Sequence, residues 1–481
     1  MRSQVILKIV GSFLQIFGAM MAVPVAVALY FSESPVYMAG FALPALASVI
    51  LGYSLYISGK HSDYASNITI PEAIFATVLG WILAVMFGAI PFLMHMHIFN
   101  ALFESSAGLT TTGISMVLDP STLPKSLLFW RSFIQWIGGL GILTFFVAVI
   151  RESGGVTRRL YSAEAHKTDS GSIRPSLEKS IASLWRVYGF LTFLFIAVYI
   201  ALGMPVFDSI MHAFSGISTG GFSTQAGSIG AYSKPIQIVT IPLMFLGGVN
   251  FVLLYKFLRS EFDVFIRSTE FKLYTAIFLL IGSLTAFNLF TQGSLAGDAV
   301  LNGFFTSAAV ISSTGYATIG ITTLSAALQF IFIGVMFVGG SLGSTAGGFK
   351  VFRLKAMYEL VKTRIRAYQL PESAINEAKI DGEIVKNSTV RTISVLFFGW
   401  IALIFLSTIV VLVADQTTFI AALSGSVSAA GNMGPVYMPA EKMVALSPIT
   451  KVTWVIVMLA GRLELLPLLA IFNRELFQDS K

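Results

Sequence analysis

Ten mostly apolar stretches recur along the chain, near 5–30, 37–57, 71–94, 126–150, 182–203, 235–258, 270–290, 324–360, 391–414 and 449–472. Each is long enough to cross a hydrocarbon core, for which about 20 residues suffice. Lipid offers backbone amides no partners, so such segments span as helices. The expected fold class is therefore an all-α polytopic membrane protein. Composition agrees: 55% of the 481 residues are hydrophobic and 11% charged, against about 25% charged in a soluble domain. Cysteine is absent, which removes disulfides, thiolate metal sites and thiol nucleophiles. The first apolar run is too long for the apolar core of a signal peptide and reads as a retained helix.

Four further apolar stretches are too short to span: "IFNALFESSAGL" (98–109), "VFDSIMHAFSGI" (206–217), "AVLNGFFTSAAVI" (299–311) and "TTFIAALSGSVSA" (417–429). Each falls between two candidate spans and reads as a re-entrant half-helix. Non-helical backbone at membrane depth survives only where it lines a cavity or is buried in protein. The segments that follow are small and polar: "TTTGIS" (110–115), "STGGFS" (218–223), "SSTGYA" (312–317) and "AAGNMG" (429–434). Aligned on Gly113, Gly221, Gly315 and Gly431, they lie about 100 residues apart, a period worth reading as a repeat of span, half-helix, loop and span. The units so predicted are 67–152, 178–262, 266–368 and 386–481, preceded by two extra N-terminal transmembrane helices in 1–66.

Lys and Arg concentrate at 151–186, 256–272 and 350–391, on the side opposite the half-helices, whose own loops carry only Lys125, Lys234 and Lys442. The positive-inside rule then places both termini in the cytoplasm and the four loops toward the outside. The net charge of +7 is thereby a matter of topology, and no nucleic-acid partner is expected.

Ser, Thr, Ala and Gly leave backbone carbonyls accessible, and Gly also permits left-handed backbone. A ring of such carbonyls can replace the hydration shell of a monovalent cation without any charged side chain. Each half-helix would aim a partial charge of about −0.5 at the same place. No pair of carboxylates accompanies the loops, which disfavours a divalent site of the calcium kind. Glu104 is the one acid of the first half-helix. Asp208 and Asp298 sit where an N-cap or a dipole partner is expected. The five histidines lack metal spacing, and His95 and His97 read as interfacial.

The four loops, with "FWRSFIQWIGGLGI" (129–142), "GGSLGSTAGGFKVFRLK" (339–355) and "AGRLELLPLL" (460–469), resemble the Trk/Ktr/HKT superfamily of potassium transport proteins, nearest its TrkH-type membrane subunit. The resemblance covers essentially the whole chain. It implies four tandem membrane-pore-membrane repeats around one pore, conducting K⁺ across a prokaryotic plasma membrane as a homodimer. It also implies a cytoplasmic ring of nucleotide-binding, TrkA-type regulatory subunits. ATP, ADP or NAD is then expected on that partner, and no cofactor on this chain, for which K⁺ is the substrate. The filter residues it implies are Thr111, Thr112, Gly113, Thr219, Gly220, Gly221, Ser313, Thr314, Gly315, Ala430, Gly431 and Asn432. Members with Ser at the first filter position tend to admit Na⁺, so Gly113 implies K⁺. The fourth loop departs from the pattern, lacking the Thr-Gly pair, and either Gly220 or Gly221 suits the second.

Five glycines in the ten residues 339–348 argue against a regular helix, since each costs about 1 kcal/mol relative to Ala. The stretch is either a flexible link or a loop crossing beneath the filter. The resemblance favours such a gate, with Gly339, Gly340, Gly343, Gly347, Gly348, Lys350 and Arg462 as its residues. Arg462, in the last span, either pairs with Glu464 structurally or faces the cavity as an electrostatic barrier. Arg131 either snorkels or pairs with Glu104. A cation-coupled (Na⁺ or H⁺) symporter is the alternative function, but interior acids are few. An enzyme would need a nucleophile or metal cluster at one depth, and the sequence offers none.

Overall fold

The computed structural model describes residues 2–59, 69–141, 177–369, 371 and 376–470. Most of the first basic cluster (151–176), His61 and His166 lie outside the described residues. Among the described residues, six helices are long and apolar enough to cross a membrane. Apart from a minimal hairpin pairing Lys379–Ile380 with Glu383–Ile384, the described secondary structure is helical.

The first two spans, Ser3–Tyr30 and Pro35–Ser58, form an antiparallel pair. Their seam is made of glycine. A Cβ on Gly11 would fall 2.5 Å from the Gly52 carbonyl oxygen, one on Gly52 2.7 Å from that of Gly11, and one on Gly59 2.4 Å from that of Gln4. Small residues let two backbones touch, which is how helices associate where lipid removes the hydrophobic drive. Ser48 Oγ donates to the Leu14 carbonyl across the same seam (2.9 Å).

Each remaining span, Pro71–Met94, Ala182–Ala201, Thr269–Thr291 and Asn387–Asp415, leads into a short helix. These are Ile98–Leu109, Val206–Ile217, Ala296–Ile311 and Phe419–Gly431. The first of the four spans opens on a capping box, in which Thr69 and Glu72 satisfy one another's backbone amides. Large apolar side chains on these spans face outward, among them Phe193, Phe287, Phe398 and Val413. The C-terminal halves of the short helices are buried instead, so they end inside the protein.

A loop follows each short helix, then an inner helix: Lys125–Gly139, Lys234–Gly247, Ala326–Val338 and Pro448–Arg462. The sequence expectation was an interrupted helix in the third unit only. The structure shows a helix ending at the corresponding place in every unit. In the second unit the chain turns by 108° before Phe251–Phe257, with Asn250 capping the new helix through Val252 N (2.8 Å). The fourth breaks at Glu464 and Leu465, both left-handed (φ +61° and +57°). Residues 142–150 of the first lie outside the described set.

Candidate functional site

The four short helices end the same way in three dimensions. Thr111, Thr219, Ser313 and Asn432 adopt left-handed backbone (φ +55°, +54°, +58° and +51°). Two residues later Gly113, Gly221, Gly315 and Gly434 do so again (φ +77°, +78°, +74° and +97°). The amides fold back alike: Thr112 N donates to Ala107 O, Gly220 N to Ser215 O and Met433 N to Ser428 O, at 2.8, 2.8 and 3.0 Å. Left-handed non-glycine residues cost roughly 1–2 kcal/mol each, so the surroundings impose this shape.

That geometry corrects the alignment of the fourth loop. Gly431 was set beside Gly113, Gly221 and Gly315, but the residue in their conformation is Gly434. Gly431 is the last residue of its helix and Ala430 precedes it within the helix. Asn432 keeps its place in the loop, at the position of Thr111. Asn tolerates left-handed backbone better than most residues, so it replaces the hydroxyl residue without changing the path. In the second loop Gly221, not Gly220, is the equivalent of Gly113.

The loops also meet. A Cβ on Gly113 would fall 2.1 Å from the Gly220 carbonyl oxygen, and one on Gly221 1.9 Å from that of Thr314. A Cβ on Gly315 would fall 2.8 Å from the Met433 carbonyl oxygen, and one on Gly434 3.1 Å from that of Thr112. The contacts run from first to second to third to fourth and back to the first, a closed ring. Asn432 Nδ2 stitches the last joint by donating to Thr112 Oγ1 (2.8 Å). No ionisable side chain occurs within 110–113, 218–221, 312–315 or 431–434. What the ring presents is backbone carbonyl.

The four quarters are not all braced alike. In the first, Arg131 Nε donates to Glu104 Oε1 (2.8 Å) and Arg131 Nη1 to the Ser223 carbonyl of the second loop (3.1 Å). Glu104 Oε2 accepts from Met116 N (2.6 Å). Arg131 is thus paired rather than snorkelling. The position of Glu104 is taken by His212 in the second short helix, whose Nδ1 lies 2.7 Å from the Asp208 carbonyl and Nε2 2.9 Å from Ser223 Oγ. In the fourth the same position is Gly425, packed on Trp454. In the first and third loops a hydroxyl pair closes the helix end: Thr110 with Thr112 and Ser312 with Thr314, both at 2.7 Å. Truncating Arg131 to Ala strands a buried carboxylate, and breaking such a pair costs about 3–5 kcal/mol. The expected result is a clearly lower melting temperature in detergent, measured on the full chain.

Beneath the ring, residues 339–350 cross from one helix end to the next, with Gly339, Gly343, Gly348 and Lys350 at positive φ. The loop donates to carbonyls that helix ends leave without intrahelical partners. Thr345 Oγ1 reaches Ile217 O (2.9 Å) and Gly247 O (3.0 Å), and Gly348 N reaches Gly431 O (2.8 Å). Gly347 N donates to Ser313 Oγ (2.7 Å), and a Cβ on Gly347 would lie 1.8 Å from Gly431 O. Gly340 N bonds back to Gly347 O (3.3 Å), closing the loop on itself.

Arg462 joins this layer. Its Nη2 donates to Gly138 O (2.5 Å) and Gly139 O (2.9 Å), and its Nη1 to Thr345 O (3.2 Å). Glu464 forms an ion pair with Arg353. Lys350 Nζ donates to Ala346 O. Sequence reasoning missed Glu270, whose Oε1 accepts from Leu342 N (2.6 Å), along with Gly434 and Gln135. Gln135 shares its helix with Lys125, Ser126, Arg131 and Ser132, so its residue type alone did not single it out.

A family model described as TrkH, cation transport protein, matches residues 39–481. The chain is similar to an uncharacterized cation transporter of Methanocaldococcus jannaschii, 30% identical over 97% of this chain and 94% of the relative. It is also similar to the Trk system potassium uptake protein TrkH of Salmonella typhimurium, 28% identical over the full length of both. Its fold matches the crystal structure of the potassium transporter TrkH from Vibrio parahaemolyticus with a TM-score of 0.86 and 25% identity, covering 99% of this chain and 100% of the other.

Proposed function

Because the chain belongs to the TrkH family of cation transport proteins, which are transporters rather than enzymes, we propose that it conducts potassium into the cell through the ring of four loops. The observation that carries this is the closed cycle of contacts among Gly113, Gly221, Gly315 and Gly434. Four carbonyl-bearing turns meeting on one axis replace the water around an alkali ion, and the short helices point their negative ends toward it. Thr111, Thr112, Thr219, Gly220, Ser313, Thr314, Asn432 and Met433 supply carbonyls in the same layers. The 339–350 loop and Arg462 act as the gate, since their donors and positive charge occupy the helix ends that would otherwise favour a cation.

Both termini lie in the cytoplasm of a prokaryotic cell on this reading, following the basic segments at 256–272 and 350–391. Those segments also suit a docked cytoplasmic ring that carries the regulatory nucleotide, with two copies of this chain forming the membrane unit.

The test is flux. Purified protein in K⁺-loaded liposomes is expected to take up ⁸⁶Rb⁺ down its electrical gradient without any Na⁺ or H⁺ gradient. Uptake that requires either gradient would instead identify a coupled symporter.

A further inference from the structure

We infer that Gln135 is a positioning residue for the filter: it stands in, from a neighbouring helix, for the threonine side chain that the second loop lacks. The proposal rests on the conducting role of the ring and names a determinant of its selectivity.

In the first and third loops the residue before the left-handed glycine is Thr112 or Thr314, and its hydroxyl bonds back to Thr110 or Ser312 at 2.7 Å. In the second loop that residue is Gly220, with no side chain to make the bond. The vacant space holds an amide from the inner helix Lys125–Gly139. A Cβ on Gly220 would fall 2.4 Å from Gln135 Cδ, 2.6 Å from Oε1 and 2.7 Å from Nε2.

The amide is bonded at both ends. Gln135 Nε2 donates to Gly220 O (2.7 Å), and Gln135 Oε1 accepts from Phe222 N (3.1 Å). The two bonds straddle Gly221 and use one donor and one acceptor, so only one orientation of the amide satisfies both. Gln135 is fully buried. The Gly220 oxygen is also the one that a Cβ on Gly113 would meet. The clamp therefore acts on the joint between the first and second loops.

The next quarter shows the alternative solution. Gly139 would place a Cβ 2.8 Å from Ser218, and Gly248 would place one 3.2 Å from Ser312 Cα. The inner helices of the first and second units thus face the following loop in the same way. One turn before these glycines stand Gln135 and Met244. Met244 accompanies a loop that has its own Thr314, whereas Gln135 accompanies a loop that has Gly220. A glutamine with glycine and a methionine with threonine are two complete ways to brace one turn.

The test is an exchange in the full chain, reconstituted in planar bilayers, reading the reversal potential in mixed K⁺/Na⁺. Conduction by the parent protein comes first, and its absence would count against the conducting role itself rather than against Gln135. With the parent conducting, Gln135→Met removes the side-chain partner of both Gly220 O and Phe222 N and is expected to lower the K⁺/Na⁺ permeability ratio by at least about tenfold, the scale of a single buried polar group left unsatisfied. Adding Gly220→Thr to that variant rebuilds the arrangement of the third loop and is expected to restore most of the ratio. Gln135→Leu removes donor and acceptor alike, and is expected to behave as Gln135→Met does; it decides the matter should the methionine variant fail to fold. An unchanged ratio in either single variant, or a well-folded double variant that recovers none of it, overturns the proposal.

Discussion

Gly113→Ser is expected to lower the K⁺/Na⁺ permeability ratio by about tenfold, since strain of order 1–3 kcal/mol at one quarter of the ring corresponds to roughly 5- to 150-fold in an equilibrium ratio. Two independent constraints act at this position. Its backbone is left-handed, at φ +77°, where a side chain is strained whatever the space. Its missing Cβ would meet the Gly220 oxygen at 2.1 Å, so the added group must push the carbonyl at the joint between the first and second loops. The four glycines are not equally crowded: the same approach is 1.9 Å at Gly221, 2.8 Å at Gly315 and 3.1 Å at Gly434. Serine is therefore expected to do most damage at Gly221 and Gly113 and least at Gly434. An unshifted reversal potential in mixed K⁺/Na⁺ with Gly113→Ser would remove that residue from the filter.

Arg462→Ala is expected to raise cation flux by about tenfold, the equivalent of removing roughly 1.4 kcal/mol from the barrier. The guanidinium occupies the Gly138 and Gly139 carbonyls at the end of one inner helix and also holds Thr345 of the crossing loop. Its loss does three things at once. A fixed positive charge leaves the layer beneath the ring, a negative helix end is uncovered, and the loop loses one of its ties. Arg462→Lys keeps the charge but lacks the fork that grips several acceptors, and an intermediate flux is expected from it. Flux at or below the parent level in Arg462→Ala, with the protein still monodisperse, would make the residue a structural strut.

Six of the ten expected spans and the four short helices were legible because length and polarity alone decide which segments cross a bilayer; the other four are the inner helices. The loops were legible as small polar runs, and for three of them the residue names carried the register. The fourth was misaligned by three positions because the shared property is a backbone shape. Asn432 and Gly434 produce it without a Thr-Gly pair, so matching letters settled on Gly431. The interrupted inner helices show the same limit. Five glycines advertise the third, whereas the fourth breaks at Glu464 and Leu465, residues with ordinary helical propensity. Gln135 was invisible for a different reason: its role depends on the absence of a side chain at Gly220, 85 residues away in sequence.

The glycine seam between Ser3–Tyr30 and Pro35–Ser58 also bears on how the chain is made. Those two helices close on each other with their backbones in near contact and take no part in the ring, so they can pair as soon as the ribosome has released them. A bulky residue at Gly11 or Gly52 would then act as a biogenesis lesion: few molecules would mature, and those that did would carry normal currents.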